Sequence, residues 1–293
     1  LAQAITSSGT GTKVTAVTSN GSQDNIEQMD MNTRQLGFVQ SDVMSYAYDG
    51  TNLFEGMPIT NFSTVAALYM EQVQIVTCNP DIKTVADLKG KTVAVSSGTS
   101  SEIILEQALA RAGMTMDDIN TVEMTVDGMT TAMISGQIDA AASWSPNTVT
   151  LQNALGDNYV DLGTNADFLD SAIFPSSYIC TPEYAEANHD ILVRFAQALD
   201  KAHDWRAAHP EEMAKLLAKE LDAPEDTMLA AVGEADWQTI TEVCGDMDAI
   251  KTVYETQQGI FLDNGTITEN VPVEDYVLFD VMQEAYDAYS AAK

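Results

Sequence analysis

The stretch "TVAVSSGTSSEIILEQALARAG", residues 92–113, decides the reading of this chain. A short apolar, β-branched run enters a loop of small hydroxyl residues. A segment with apolar residues at helical spacing leaves the loop and stops at Gly113. Strand, turn and amphipathic helix in that order form the repeating piece of an α/β sheet. In open α/β sheets, ligands sit beyond the carboxyl ends of the strands, where this loop falls. A helix start has unpaired backbone N–H groups and a partial positive charge. It can hold a carboxylate, sulfonate or phosphate without any Lys or Arg. The loop is not a phosphate-cradling P-loop, because it lacks the G-K-[ST] ending. A plainer reading is that each Ser or Thr only caps its helix.

The same alternation extends outward in both directions, from Lys13 to about Cys180. Strands are expected at 13–17, 35–40, 63–80, 91–97, 120–126, 138–144 and 176–182. Helices are expected at 21–31 with Ser22 as N-cap, at 41–50 closed by Gly50, at 127–137 and at 145–155, with a helical turn at 84–90. This pattern predicts an α/β class with a mainly parallel sheet. From Tyr184 onward the chain reads as helical. Two helices are broken at His209-Pro210, and a final helix carries an apolar stripe at Val277, Met282 and Tyr286.

Strands near Val73 and Tyr178 are expected to cross between two lobes. One lobe would comprise residues 1–77 plus 180–293 and include the C-terminal helices. The other would be an inserted α/β lobe of residues 78–179. Two lobes joined by two crossings leave a cleft that closes by a hinge. Cys78 and Cys180 lie on the two crossing strands, so either a hinge disulfide or two buried thiols is expected there.

Composition removes several functions. The chain has 293 residues, with 13 Lys and Arg against 44 Asp and Glu, for a formal net charge of −31. Phosphate backbones and polybasic membrane contacts are excluded on charge. No apolar run approaches the roughly 20 residues of a membrane span. The opening "LAQAITSSGT" does not read as a secretion signal, and a removed segment is expected before it. Three Cys without a C-x-x-C and three scattered His give no metal site and no cofactor is expected. Catalysis has little to stand on: no G-x-S-x-G occurs, and His189, His203 and His209 all fall in the helical part.

Four strand-to-helix loops are rich in small polar residues: 18–25, 39–46, 95–102 and 142–147. Together they predict a site for a small anionic solute. Trp144 follows the strand "DAAAS" and suits the apolar part of a ligand, or simple packing. Of Tyr46 and Tyr48, one is expected in the core and the other at the cleft.

The residues also resemble a known family. "VTSNGSQDNIEQMDMNTRQLGFVQSDVMSYAYDGTNLFEG" (17–56), "FSTVAALYMEQVQIVT" (62–77) and "IKTVADLKGKTVAVSSGTSS" (82–101) resemble the first lobe of TAXI-family solute receptors of TRAP transporters. Further on, "ALARAGMTMDDINTVEM", "AMISGQIDAAASWSP", "HPEEMAKLLAKEL" and "NGTITENVPVEDYV" are more similar to ABC-transporter binding proteins for nitrate, sulfonates and taurine. Where a TAXI receptor has a G-A-P-like turn, this chain has "SWSP". Both resemblances imply a two-lobed, type II periplasmic-binding-protein fold and a non-enzymatic, monomeric receptor. Such a receptor follows a secretion signal, often carries a lipid anchor, and hands its solute to integral-membrane permease subunits.

The TAXI resemblance implies a carboxylate, such as a dicarboxylate or acidic amino acid, and a TRAP permease. The alternative is an ABC importer for a sulfonate, taurine or nitrate-like solute, with an enzyme on the same fold as a remote third. Carried over by position, Ser22, Gln40 and Ser41 would contact the solute from the first lobe. Ser97, Gly98, Thr99 and Ser100 would do so from the second, with Trp144 beside them. The resemblance also places the family's first strand and Gly-rich loop before Leu1.

Overall fold

A computed structural model describes residues 6, 13–19, 21–70, 72–97, 99–168, 175–221, 223–232, 245–263, 265 and 267–293. The first half runs α1 (Ser22–Asp30), β1 (Gly37–Gln40), α2 (Ser41–Asp49), β2 (Ser63–Met70), β3 (Gln74–Thr77), β4 (Thr92–Val95), α3 (Ser100–Arg111), β5 (Asn120–Glu123), α4 (Val126–Ile134), β6 (Ala140–Ser143) and α5 (Asn147–Leu155). Then come β7 (Val160–Thr164), β8 (Pro175–Cys180), α6 (Pro182–Ala187), α7 (His189–Ala208), α8 (Pro210–Leu221), α9 (Glu225–Ala230), α10 (Met247–Asp263) and α11 (Phe279–Ala291).

Local chemistry explains most boundaries. Thr99, Thr125 and Thr181 cap α3, α4 and α6 by accepting the N–H of Ser101, Gly128 and Tyr184 at 3.3, 3.3 and 3.2 Å. Pro182 then occupies the first turn of α6, where its missing N–H is not needed. Gly50 ends α2 with φ 63°, and a Cβ there would lie 2.9 Å from the Pro58 nitrogen, so both conformation and space demand glycine. The turn at 84–90 is a 3-10 helix, Val85–Leu88, closed by a reciprocal Thr84–Asp87 capping box.

The chain divides into two compact units. The first comprises Leu1–Met70, Phe174–Pro210 and Ala235–Lys293, and the second Glu71–Ile173 and Glu211–Glu234. The borders fall before β3 and before β8, rather than after them as expected. Each strand follows its pairing: β3 is hydrogen-bonded to β6 and β7, and β8 to β1 and β2. Residues 211–234 carry α8 and α9 into the second unit, a return that the sequence pattern does not show.

The first unit has a three-stranded sheet, β1-β8-β2, with both pairs antiparallel. Val65 and Ala66 of β2 and Cys180 of β8 pack against Leu192, Phe195 and Leu199 of α7 and Val281 and Ala285 of α11. A second cluster joins Ile250 and Tyr254 of α10 to Val273, Val277 and Met282. Tyr286, expected in the apolar stripe, is half-buried, and Val281 and Ala285 are the more buried residues of α11.

The second unit has a five-stranded sheet in the order β5-β4-β6-β3-β7. The expected parallel pairing holds for β4 with β5 and β6, but β3 runs antiparallel to both β6 and β7. Strand β7, "VDLGT", was missed because its residues are half-exposed and lack apolar alternation. Val76, Ala94 and Ala141 pack against Met129, Met133 and Leu151 of α4 and α5. Residues 13–17, expected as a strand, have no regular structure: all but Val14 are exposed, and Val14 bonds the Thr6 hydroxyl at 3.0 Å. The run 63–80 is two strands, one in each sheet.

The thiols of Cys78 and Cys180 are free, so the hinge disulfide is not formed. Each sits in the apolar packing of its own unit. Cys78 donates to the Met133 carbonyl at 3.6 Å, while burial pushes the Cys180 thiol up to about 12. The third cysteine, Cys244, lies outside the described residues.

Candidate functional site

In the second unit, register pairs Val95 with Glu123 and Ala94 with Ala141, so β5, β4 and β6 end together on one edge of the sheet. The turns leaving that edge are 96–99, 124–125 and 144–146, and they lead into α3, α4 and α5. Ser97 is exposed, and its N–H donates to both carboxylate oxygens of Glu123 at 3.2 and 3.0 Å. A carboxylate of the protein therefore already sits on a backbone amide of this turn.

The Thr99 hydroxyl donates to the Ser96 carbonyl at 2.7 Å and lies 2.7 Å from the Ser101 hydroxyl. Ser100 and Ser101 are buried in the first turn of α3. Thr99 thus caps the helix while helping to fold the turn whose Ser97 amide faces Glu123. Gly98 lies outside the described residues. Trp144 is half-buried, and its carbonyl accepts the N–H groups of Asn147 and Thr148 at 3.0 and 3.3 Å, fixing the start of α5.

In the first unit the donors are arranged differently. Ser22 is not the N-cap of α1. Gly21 holds that place with φ 103°, and the Ser22 hydroxyl instead accepts the Gln40 N–H at 3.0 Å. The last residue of β1 is thereby tied to the start of α1. Ser41 opens α2, is buried, and accepts a hydrogen bond from Gln257 Nε2 of α10. Asp42, fully buried, occupies the first turn of α2, where the helix dipole favours a negative charge. Tyr46 is buried and Tyr48 half-buried.

Strand register sets Val39 and Gln40 opposite Ser177 and Ser176 of β8, both fully buried. The Ser177 hydroxyl lies 2.8 Å from the Tyr254 hydroxyl. Tyr254 and Gln257 are three apart on α10 and share a face of that helix. Sequence reasoning missed Glu123, Tyr254 and Gln257. Only the last two carried any signal, as polar residues within an apolar helical stripe.

The predicted contacts include no Lys or Arg, so neutral donors would have to carry any anion. The three His lie on α7 or directly after it. His203 is buried and pushed down to about 4, chiefly by that burial and also by Arg206. His189 pairs with Glu284 at 3.2 Å, and His209 stacks on Trp205. Among the described residues no group of three or more His, Cys, Asp or Glu is placed to hold a metal ion.

Known proteins share this fold. The alkanesulfonate-binding protein SsuA from Xanthomonas axonopodis pv. citri, solved with MOPS bound, superposes with a TM-score of 0.70 at 20% identity, covering 94% of this chain and 91% of that one. That likeness fixes the fold as the periplasmic-binding-protein type. A binding protein of Brucella abortus (strain 2308) is 36% identical over 137 residues, 47% of this chain, and the match spans 43% of that relative's length. An aliphatic sulfonates-binding protein of Escherichia coli (strain K12) is 27% identical over 210 residues, 70% of this chain and 62% of its own length. The family described as NMT1/THI5 like matches residues 9–213, a span that takes in the whole stretch resembling TAXI receptors, and the chain belongs to that family.

Proposed function

We propose that this chain is the solute-binding component of an ABC-type importer, working outside the cytoplasmic membrane, and that its solute is a small organic sulfonate. The observation that carries this reading is the likeness over 210 residues to the aliphatic sulfonates-binding protein of Escherichia coli. It favours the alternative drawn from the sequence over the TRAP-linked carboxylate receptor, which none of the likenesses supports.

The chemistry of the donors supports the same choice. A sulfonate spreads one negative charge over three oxygens, so several N–H and O–H groups can satisfy it without a counter-ion. A dicarboxylate carries two concentrated charges into a chain of net charge −31, and without Arg or Lys beside it the repulsion is larger. The donors assigned to the solute are Ser22, Gln40 and Ser41 in the first unit. In the second they are Ser97, Gly98, Thr99 and Ser100, with Trp144 against the apolar part. Delivery to membrane permease subunits, a secretion signal and a lipid anchor belong to the same proposal, as does the monomeric state. The solute is released unchanged.

Thermal melts with ethanesulfonate, taurine, nitrate, succinate and glutamate test it. At 100 times its dissociation constant, the true solute stabilises the chain by about 2.7 kcal/mol. Ethanesulfonate or taurine is expected to raise the melting temperature. A response to succinate or glutamate alone overturns the sulfonate assignment.

A further inference from the structure

We propose that Gln257, far along the chain from every predicted contact, is a positioning residue that commits the Ser41 hydroxyl to donating toward the solute. The inference rests on the sulfonate-binding reading above and deepens it at one atom. Gln257 Nε2 donates to Ser41 Oγ. An amide nitrogen has no lone pair to offer, so the hydroxyl is the acceptor in that contact. Its single proton is left pointing elsewhere, and among the described residues nothing else accepts it. Ser41 opens α2, where backbone N–H groups and the helix dipole already favour an anion. A hydroxyl forced to donate adds one more positive end to that set.

The neighbours of Gln257 hold it still. One turn earlier, Tyr254 is 1% exposed, lies 2.8 Å from the Ser177 hydroxyl and meets Tyr276 edge-on at a ring separation of 6.1 Å. The adjacent Gln258 donates to the Val271 carbonyl at 2.9 Å and to the Tyr276 hydroxyl at 3.1 Å, and accepts the Val271 N–H at 2.8 Å. Gln257 itself is 4% exposed and Ser41 3%. Buried between fixed residues, the amide has little freedom to rotate, which is what setting the direction of a hydroxyl proton requires.

Calorimetric titration of ethanesulfonate into four forms of the chain tests the inference: unmodified, Gln257→Met, Gln257→Glu and Ser41→Ala, with the double variant Ser41→Ala/Gln257→Met closing a cycle. Glu is nearly isosteric but accepts from Ser41, which reverses the hydroxyl and adds a negative charge. Affinity is expected to fall about tenfold to a hundredfold, the range for a hydrogen bond to a charged group. Gln257→Met keeps the volume and removes the donor, and should weaken binding by a smaller factor. In the Ser41→Ala background the Met change should cost nothing further, whereas a Gln257 that acts on affinity by any route other than Ser41 would give additive losses.

Melting curves establish that each variant is folded. If the Glu variant is not, the Met cycle decides alone. Unchanged affinity in Gln257→Met, or additive losses in the cycle, overturns the positioning role and leaves the functional reading standing. Taurine replaces ethanesulfonate where only taurine binds; if the unmodified chain binds neither, the functional reading falls and this inference falls with it.

Discussion

The two units build their polar ends from opposite materials. In the second, three parallel strands finish on one edge and three helices start there, so the donors are main-chain amides at helix starts, folded by short-range caps. In the first, the sheet is antiparallel and the polar groups are tied across distant elements, a main-chain amide on a half-buried hydroxyl and a buried side-chain pair. They are arranged by contacts 18 and 216 residues apart in sequence, Ser22 to Gln40 and Gln257 to Ser41. A main-chain site tolerates changes of side chain that leave the turn intact. A side-chain network does not, because removing one member of a buried pair leaves the other unsatisfied.

The largest effect expected to separate them lies in the second unit. Thr99→Glu places a carboxylate at the mouth of α3 and deletes the hydroxyl that folds the turn. Binding of ethanesulfonate should fall more than about 100-fold, with the melting temperature lowered only by the roughly 1 kcal/mol of a lost cap. Retained affinity would mean that Thr99 is a cap and nothing more. Ser100, buried in the same turn, is the poorer place for this test, because Glu there would disturb packing as well.

Next in size is a test of the first unit's buried charges. Burial, and secondarily Asp204, raises the Asp200 carboxyl to about 7. The folded state therefore holds its proton more tightly than the unfolded chain, and this group costs stability as pH rises from the ordinary carboxylate range through 7. His203 behaves oppositely. It is lowered to about 4, so its cost appears as pH falls from 6.5 to 4. Between about 4 and 6.5 the two slopes oppose each other. Asp200→Asn should raise stability above pH 7 by on the order of 2–3 kcal/mol. It should also leave stability rising with pH from 4 to 6.5. Chemical denaturation across pH 4–8 measures both, and an unchanged profile would show that Asp200 is solvated.

A smaller effect would sharpen the picture of the parallel edge. Glu123 holds the Ser97 amide that a solute anion would otherwise use. Glu123→Gln keeps an acceptor there but removes the charge, and affinity for ethanesulfonate should rise by about 3- to 10-fold, most at low salt. A fall would identify Glu123 as a partner for a cationic group on the solute. The smallest change expected is Tyr254→Phe, which leaves Ser177 without its partner. It should lower stability by about 1 kcal/mol in denaturant titration.

This contrast also explains what was legible in the sequence. The β4-turn-α3 reading survived because every step in it is local: β-branched run, Thr cap, helical period, terminal glycine. The fold class followed from repeating that step. Ser22 differs from the expected N-cap because a cap and a helix-start hydroxyl that accepts from a neighbouring strand look identical in sequence, and only the nearness of Gln40 separates them. Residues 13–17 have strand-like side chains, but among the described residues no strand pairs with them. Tyr254 and Gln257 stand out in sequence only as polar residues within an apolar helical stripe, because their partners lie on β8 and α2, which only the tertiary fold brings near. The return of 211–234 to the second unit is likewise invisible to periodicity, since its helices would look the same packed anywhere.

The two unbonded thiols make each half of the molecule separately readable. Cys180, with no exposed surface and a strongly suppressed thiolate, can react only when the first unit opens, whereas the half-buried Cys78 answers to the second. With Cys244 replaced, the rate at which an alkylating reagent consumes Cys180 would give the opening free energy of the first unit, and a change in either sulfur's rate would show which half a bound solute shields.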